Sequence, residues 1–310
     1  MNKKKFIIIR IFGGLGNQLW QYAVGRALSL KYKKRLVLDI SYFKNPLIDN
    51  PKGGKYKFEL NKFNLHKDTL IEKDCYNHSY RFAKYFLNYL PNKIVNIFFK
   101  DEKFKIKKFI FEDDIFKKKN FDKSIRNNKT VYLIGYWQSI KYLLKYHEII
   151  KNESKPKIIN KQVKKFIKNI TTKNVALHIR GGDMSITKSY TDKKYYFKIF
   201  NFLKQKKTKF DFHIFTDDPI YAKFFLRKIE LKNYKIISNT YNFSNIEEFY
   251  IMQHYRHLAI NRSTFSWWSG YLSNLNKTII FAPKFWSKRT KSGKFLIMSN
   301  YLRTSNMLLM

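Results

Sequence analysis

The chain has 310 residues, long enough for one large domain or two, and hydrophobic residues make up 44% of it, so a disordered chain is excluded. Its formal net charge is +41, from 63 Lys and Arg residues against 22 Asp and Glu residues. Such an excess indicates an anionic partner: nucleic acid, a membrane surface or a phosphate-bearing ligand. The alternative is a genome-wide codon bias toward Lys, which is favoured because Lys is scattered along the chain rather than gathered in a tail. The single cysteine, Cys75, excludes an intrachain disulfide and fits a reducing compartment. No apolar run is long enough to predict a membrane helix.

In chain order, the first segments predict a βαβ unit. Residues 6–12 form an apolar strand rather than a signal peptide, because the run contains Arg10 and lacks a cleavage site of small residues. A glycine turn at 13–16, a helix at 17–30 and a second strand at 35–39 follow, which requires a parallel sheet. Residues 56–119 show no clear pattern beyond a weak helix signal at 80–90. The next predicted strand is 131–136, and a predicted helix follows it up to about Tyr146.

The second part of the chain predicts another α/β domain. Residues 151–157 are polar and contain a proline, and we predict the domain linker there. Helices and strands then alternate up to residue 282. We therefore place an N-terminal domain at 1–150, a C-terminal domain at 158–290 and a tail at 291–310.

Charged residues cluster where the strand at 175–179 ends. His178, Arg180 and Asp183 surround two glycines, and in open α/β sheets ligands bind at the carboxyl ends of strands. A guanidinium that glycines allow to be approached closely suits a phosphate. Because an unpaired cation in apolar surroundings is costly, Arg180 requires an anionic partner, either Asp183 or a diphosphate.

A second candidate segment opens the first helix. Asn17 and Gln18 lie at its N-terminus, where amides and backbone N–H groups can hold phosphate or sugar hydroxyls. Asp39 stands where a dinucleotide fold places its ribose-binding acid, but Leu19 replaces the third glycine of that fingerprint, so an NAD site is a weak reading.

Two further pairs of residues lie at predicted helix starts. Asp217 and Asp218 suit a metal, a helix cap or the N–H donors of guanine, and the lack of nearby His or Glu ligands disfavours the metal. Ser263 and Thr264 stand at a helix entrance, where hydroxyls and free backbone N–H groups make an anion site.

Six segments, in order, resemble glycosyltransferase family 11, the α-1,2-fucosyltransferases. The resemblance is dense over the first 30 residues and from about residue 132 to 286, and thin over 56–119. The matching segments are GGLGNQLWQYAVGRAL, GYWQS, ALHIRGGD, FTDD, IEEFYIMQHYRHLAINRSTFSWW and IIFAPKFW.

The resemblance implies a GT-B fold of two Rossmann-like domains facing across a cleft. It also implies transfer of L-fucose from GDP-β-L-fucose to the 2-hydroxyl of a terminal β-galactoside, with inversion and with neither metal nor cofactor. The acceptor would be a surface polysaccharide or lipopolysaccharide precursor. This function fits a cytoplasmic protein that makes peripheral contact with the inner, anionic face of the membrane.

Carried over to this sequence, the resemblance makes Arg180 the catalytic residue on the β-phosphate. It assigns the other residues to the donor and acceptor sides: the guanosine loop (His178, Asp183), guanine (Asp217 or Asp218), the diphosphate (Ser263, Thr264), and the fucose and acceptor (Asn17, with Gln18 beside it). The sequence departs from the family pattern at Gly181, usually Arg, and at Arg262, usually Asn.

Alternatives stay open at this point. A fucosyltransferase of another linkage, α-1,6 or protein O-type, would share similar Arg and Gly-Asn-Gln elements, whereas a basic nucleic-acid binder lacks a recognisable binding motif here. The general base is not identified by spacing, and four carboxyl residues qualify by chemistry: Asp39, Asp183, Asp218 and Glu247.

Overall fold

The computed structural model describes residues 5–44, 56–73, 75, 104, 106, 108–112, 121–181, 193–238, 240–273, 278–288, 295–297 and 302–310. The chain divides into two compact units, Met1–Lys155 and Pro156–Met310. The weak helix signal at 80–90 and Asp183 lie outside the described residues.

The first unit is built on a parallel sheet of five strands in the order β3-β2-β1-β5-β4. Because the chain moves from β1 to β2 and β3 on one side and reaches β5 and β4 on the other, the order reverses between β1 and β5, where open α/β sheets bind ligands. The elements are β1 (Phe6–Arg10), α1 (Leu15–Tyr32), β2 (Arg35–Asp39), β3 (Leu70–Glu72), β4 (Lys108–Phe111), α2 (Phe121–Asn127), β5 (Thr130–Ile134) and α3 (His147–Glu153).

Local sequence explains where the first elements begin and end. Gly13 adopts φ +77°, a conformation that glycine reaches at little cost, and this turn leads from β1 into α1. Strand β1 stops at Arg10 rather than Phe12, because the backbone N–H of Phe12 leaves the sheet and donates to Gln21 Oε1 at 2.9 Å. The helix predicted up to Tyr146 is instead a pair of 3₁₀ turns, Ile140–Tyr142 and Leu144–Tyr146, followed by α3.

A buried ion pair fixes α3 to α1. Arg26 Nη2 lies 2.9 Å from Glu153 Oε1, and the hydroxyl of Tyr22 donates to Glu153 Oε2 at 2.6 Å. Breaking a buried pair by removing one partner typically costs about 3–5 kcal/mol. This cluster therefore holds the last helix of the first unit in place, just before the boundary at Lys155.

The second unit contains a parallel sheet of six strands in the order β13-β10-β9-β6-β7-β8, whose order reverses between β9 and β6. Strands β11 and β12 form a separate antiparallel pair. The elements are α4 (Lys161–Lys168), β6 (Asn174–Ile179), α5 (Lys193–Lys204), β7 (Asp211–Thr216), α6 (Pro219–Lys228), β8 (Tyr234–Ile236), α7 (Asn245–Met252), β9 (His257–Ala259), α8 (Thr264–Tyr271), β10 (Ile279–Ala282), β11 (Phe285–Lys288), β12 (Phe295–Ile297) and β13 (Met307–Leu309).

The predicted fold class, two Rossmann-like α/β units with parallel sheets, is confirmed. Within the stretch predicted as a tail, β13 pairs in parallel with β10 and adds an edge strand to the second sheet. In the parts of the chain described, no helix combines the length and hydropathy that a membrane crossing requires.

Candidate functional site

The reversal point of the second sheet brings together residues from three segments that are far apart in sequence. We call this region the β6–β9 edge: it consists of His178, Arg180, Gly181, Asp217, Asn261, Ser263 and Thr264, which follow or end β6, β7 and β9. Because parallel strands end on the same side of a sheet, side chains far apart in sequence meet here.

Arg180 has an anionic neighbour from the adjacent strand. Its Nε lies 3.8 Å from Asp217 Oδ2, and Asp217 Oδ1 accepts a hydrogen bond from the Gly181 N–H at 2.9 Å. Of the two partners considered from the sequence, Asp183 lies outside the described residues, and the structure places Asp217 in that role. Asp217 therefore orients the guanidinium and the loop that carries it.

His178 is buried and neutral. Its Nδ1 lies 3.1 Å from Asn261 Oδ1, which ties the ends of β6 and β9. Burial first, and the Arg180 cation second, lower the pKa of His178 to about 4. With the amide oxygen of Asn261 facing Nδ1, that nitrogen carries the proton and Nε2 is an acceptor. His178 therefore adds no positive charge next to Arg180.

The carboxyl group of Asp218 caps a helix. Its Oδ1 accepts from the Tyr221 N–H at 2.9 Å, and its own N–H donates to Thr216 Oγ1 at 3.1 Å. This is the N-cap arrangement, with Pro219 at the first helical position. The sequence left open a metal site here, and among the described residues no three His, Cys, Asp or Glu side chains come together as a metal site would need.

Gly181 is required by its neighbours. A Cβ at this position would lie 2.7 Å from Tyr221 Cδ1 and 2.8 Å from Asp218 Cβ, closer than real side chains approach. The departure from the family pattern at this position therefore has a steric reason: Tyr221 and Asp218 occupy the space that a larger residue needs.

Ser263 and Thr264 stand at the entrance to α8. Ser263 is buried at the N-cap position with its backbone extended, and its hydroxyl makes no capping bond within the described part of the chain. Thr264 is the first helical residue and is half-buried. The first N–H groups of a helix have no partner inside the helix, so this entrance can receive an anion.

A buried carboxyl group near the same edge was missed by the sequence analysis. Ser238 Oγ donates to Glu248 Oε2 at 2.9 Å and accepts from the Thr216 N–H at 2.9 Å, which links α7 to the end of β7. Burial raises the pKa of Glu248 to about 7. Its signal was an acidic residue inside an apolar helix, next to the Glu247 that was considered instead.

At the reversal point of the first sheet, amides and aromatic rings meet. We call this region the β1–β5 edge: it consists of Phe12, Asn17, Gln21, Tyr136 and Gln138. Gln138 Nε2 donates to Asn17 Oδ1 at 3.1 Å. Gln21 connects the ends of β1 and β5, because its side chain accepts from the Phe12 N–H and donates to the carbonyl of Gly135 at 3.3 Å. Gln21 and Gln138 were not singled out from the sequence, although both lie in the segments that carry the resemblance.

Tyr136 is the exposed aromatic residue of the β1–β5 edge. It is 40% exposed, its ring lies 4.9 Å from that of Phe12, and its N–H donates to Glu112 Oε2 at 2.9 Å. The next residue, Trp137, is fully buried and holds φ +59°, a conformation that costs of order 1–3 kcal/mol outside glycine. Such strain persists where the surrounding structure fixes a loop, and here it sets the direction of Tyr136 and Gln138.

Asn17 and Gln18, predicted together, have different environments. Asn17 is half-buried beside Gln138, whereas Gln18 is fully buried. Gln18 Nε2 donates to the carbonyls of Gly13 and Lys57 at 2.9 and 2.8 Å, and Oε1 accepts from the Glu59 N–H at 3.0 Å. Both amide hydrogens of Gln18 are therefore used on backbone, which makes it a residue that positions the glycine turn.

Three of the four candidate bases have structural tasks. Asp39 is fully buried, its carboxylate accepts from the Tyr132 hydroxyl and the Ser41 N–H, and burial raises its pKa. Glu247 forms a capping box with Ser244, and Asp218 caps α6. The weak NAD reading loses its ribose ligand, because a fully buried Asp39 offers no surface to a ribose.

Comparison with known proteins finds a family model, two relatives and a distant structural likeness. The model of glycosyl transferase family 11 matches residues 6–303. An alpha-1,2-colitosyltransferase of Escherichia coli is 28% identical over 93% of this chain and 95% of its own length. The O-antigen biosynthesis glycosyltransferase WbnK of Escherichia coli is 26% identical over 93% and 97% of the two chains. Among solved structures, a mutant of Arabidopsis thaliana FUT1 in complex with GDP has 11% identity and a TM-score of 0.49, and covers 93% of this chain and 71% of that one.

Proposed function

We propose a specific reaction for this chain, which belongs to glycosyl transferase family 11 and is therefore a glycosyltransferase. It moves L-fucose from GDP-β-L-fucose to the 2-hydroxyl of a terminal β-galactoside, in the synthesis of a surface polysaccharide or lipopolysaccharide. The names of the two relatives support the α-1,2 linkage and the O-antigen setting.

The observation that carries this proposal is Arg180, oriented by Asp217 at the β6–β9 edge beside a neutral His178. The acceptor oxygen attacks C1 of fucose, the bond from C1 to the diphosphate oxygen breaks, and GDP leaves with the bonding electrons. Negative charge grows on the β-phosphate. Arg180 and the N–H groups at Ser263 and Thr264 offset that charge, so no metal is needed.

The guanosine end of the donor is assigned to residues close to β6 and β7. His178 offers its Nε2 and shapes the loop, together with Asp183. Of the two aspartates proposed for guanine, Asp218 caps a helix and Asp217 holds Arg180, so Glu248 is the better candidate for the guanine N–H donors. Its raised pKa reflects a buried carboxyl that gains from such partners.

The acceptor side is assigned to the β1–β5 edge. Asn17 and Gln138 supply amide groups for sugar hydroxyls, and the exposed ring of Tyr136 supplies an apolar face. The proton of the attacking hydroxyl goes to a base that the described residues do not single out. A diphosphate is a good leaving group, which lowers the demand on that base.

A second donor sugar is favoured by one finding. The relative that is 28% identical is named a colitosyltransferase, and colitose differs from L-fucose by lacking one hydroxyl, at C3. The same edges would serve either sugar, since the diphosphate and guanosine are unchanged. We place the enzyme in the cytoplasm, at the inner membrane face, where lipid-linked glycans are built.

The first experiment measures GDP release from a panel of nucleotide sugars in EDTA, with and without lactose or N-acetyllactosamine. We expect release from GDP-fucose, or from GDP-colitose, that the galactoside increases and EDTA leaves unchanged. A galactoside lacking its 2-hydroxyl is the matched control and should give no stimulation. Release from a non-GDP donor, or loss of activity in EDTA, would refute the assignment. Stimulation by the 2-deoxy acceptor would point to another linkage.

A further inference from the structure

Two neighbouring helices of the second unit share one outer face. Helices α5 and α6 pack side by side, with the rings of Tyr196 and Phe225 5.1 Å apart at an interplanar angle of 65°. Both helices bury their inner sides in the same apolar cluster against the sheet. Their outer sides therefore lie next to each other on the surface of the unit.

The outer side of α6 is apolar in its centre and basic at its flanks. Ile220 is 84% exposed and Phe224 is 63% exposed. At about 100° per residue, these two side chains and Arg227 point directly away from the buried Ala222, Phe225 and Leu226. Lys223 and Lys228, both exposed, stand on either side of them. Single exposed apolar residues are common, but two on one stripe with cations on both flanks form a pattern.

The outer side of α5 continues this pattern. Phe197 is 40% exposed and points outward, with exposed Lys193, Lys198 and Lys204 around it. Neither helix sequence, KKYYFKIFNFLK or PIYAKFFLRK, contains an acidic residue. We call this surface the α5–α6 face: Phe197, Ile220 and Phe224, with Lys193, Lys198, Lys204, Lys223, Arg227 and Lys228.

The α5–α6 face adjoins the β6–β9 edge. In an α/β unit the helix after a strand begins at the carboxyl edge of the sheet, and α6 begins three residues after β7 ends. Tyr221, next to Ile220, packs over Gly181 in the loop of Arg180. The exposed apolar residues thus lie in the first two turns of their helices, at the end of the unit that carries the proposed donor site.

We propose that the α5–α6 face docks this unit onto an anionic lipid bilayer, with Ile220, Phe224 and Phe197 entering the headgroup region and the cations contacting lipid phosphates. A second copy of the chain is a poor occupant, because two such faces would bring cations against cations. A bilayer supplies both things the face lacks, negative charge and an apolar layer. The inference rests on one part of the proposed function, namely that the acceptor glycan is attached to a membrane lipid.

The test is flotation of the full chain with vesicles of phosphatidylethanolamine and phosphatidylglycerol, compared with vesicles of phosphatidylcholine alone. We expect binding to the anionic vesicles that weakens as salt is added. Lys223→Ser, Arg227→Ser and Lys228→Ser combined should weaken binding about 100-fold at low salt, at about fivefold per cation. Ile220→Ser with Phe224→Ser, which leaves the charge unchanged, should weaken it by about tenfold or more.

A matched control lies on α4. Lys161→Ser, Lys164→Ser and Lys168→Ser remove the same charge from another exposed lysine-rich helix, whose apolar residues are buried or half-buried. Equal losses in this control, or unchanged binding in Ile220→Ser with Phe224→Ser, would overturn the proposal by showing attraction through net charge alone. If the parent sediments as a dimer in the absence of vesicles and Ile220→Ser with Phe224→Ser sediments as a monomer, the face binds a second copy of the chain instead.

Vesicle binding uses neither donor nor acceptor, so its failure is distinct from failure of the proposed reaction. Transfer to soluble lactose should be unchanged in all three variants, because the substituted side chains lie on the surface. A variant that loses this soluble activity has lost its fold, and then the single substitutions Ile220→Ser and Phe224→Ser decide the question.

Discussion

The β1–β5 edge and the β6–β9 edge occupy equivalent places in two sheets of the same kind, yet they carry different chemistry. The first edge carries the amides of Asn17, Gln21 and Gln138 and the exposed ring of Tyr136. At the second edge, a guanidinium and a carboxylate stand beside a neutral histidine. Neutral amides and a ring suit sugar hydroxyls, and a fixed cation suits a diphosphate. The topology places both candidate sites, and their side chains indicate what each would bind.

The largest effect expected from a substitution at either edge is the loss of rate when Arg180 is replaced. Arg180→Ala should lower the rate of fucose transfer about 100- to 1,000-fold, as loss of a preorganised donor to a developing oxyanion typically does. Steady-state GDP release measures this. Arg126→Ala, an exposed arginine of the first unit, is the control and should have no effect. Near-normal turnover in Arg180→Ala would remove the residue from the mechanism.

The β6–β9 edge should also respond to pH through Glu248. Its pKa is raised from 4.5 to about 7 by burial, so the folded chain holds a proton that the unfolded chain loses between these values. Stability from this group is therefore present below pH 4.5 and is lost as pH rises to 7. Glutamine cannot ionise, so Glu248→Gln should lack this loss, and between pH 4.5 and pH 7 its free energy of unfolding should fall by about 3 kcal/mol less than that of the parent.

Urea unfolding of both proteins at pH 4.5 and pH 7 measures this difference. Buried histidines, His178 among them, act in the opposite direction in both proteins and cancel in the comparison, since their pKa values are lowered by burial. An identical pH dependence for parent and Glu248→Gln would mean that Glu248 is ionised when folded.

A pair of glycines sharpens the comparison between the edges. Gly181→Ala places a Cβ 2.7 Å from Tyr221, and overpacking of this kind costs about 1–3 kcal/mol, so transfer should fall roughly tenfold as the Arg180 loop shifts. Gly14→Ala, at the start of α1, places its Cβ 3.4 Å from Tyr56 and should be tolerated. Adding Tyr221→Ala to Gly181→Ala should recover part of the loss. Equal effects at the two glycines would contradict the steric explanation.

An effect confined to the acceptor's KM tests the first edge. Tyr136→Ala should raise KM for the galactoside by about tenfold through loss of ring contact, while KM for the donor stays constant. Tyr136→Phe keeps the ring and should resemble the parent. If Tyr136→Ala instead raises KM for GDP-fucose, the assignment of sugar acceptor and donor to the two edges is reversed.

Much of the second unit was predictable because its strands are continuous apolar runs. The predicted strand at 175–179 and the observed β6 (Asn174–Ile179) differ by one residue, since burial on both faces leaves little ambiguity. Asp218 was a foreseeable cap, because Pro219 follows it. The partner of Arg180 was not foreseeable: Asp217 is 37 positions away in sequence and becomes a neighbour through the pairing of β6 with β7.

The sequence by itself determined the family, the two α/β units and the segments that build each edge, because these depend on local hydrophobic periodicity and on motifs read along the chain. Only the tertiary structure decided which polar groups are already engaged. Asp39 and Gln18 qualified by residue type, but burial and backbone hydrogen bonds give them structural tasks. Gln21, Gln138, Asn261 and Glu248 gained importance for the converse reason, since parallel strands bring distant residues to one edge, where partners and burial fix their chemistry.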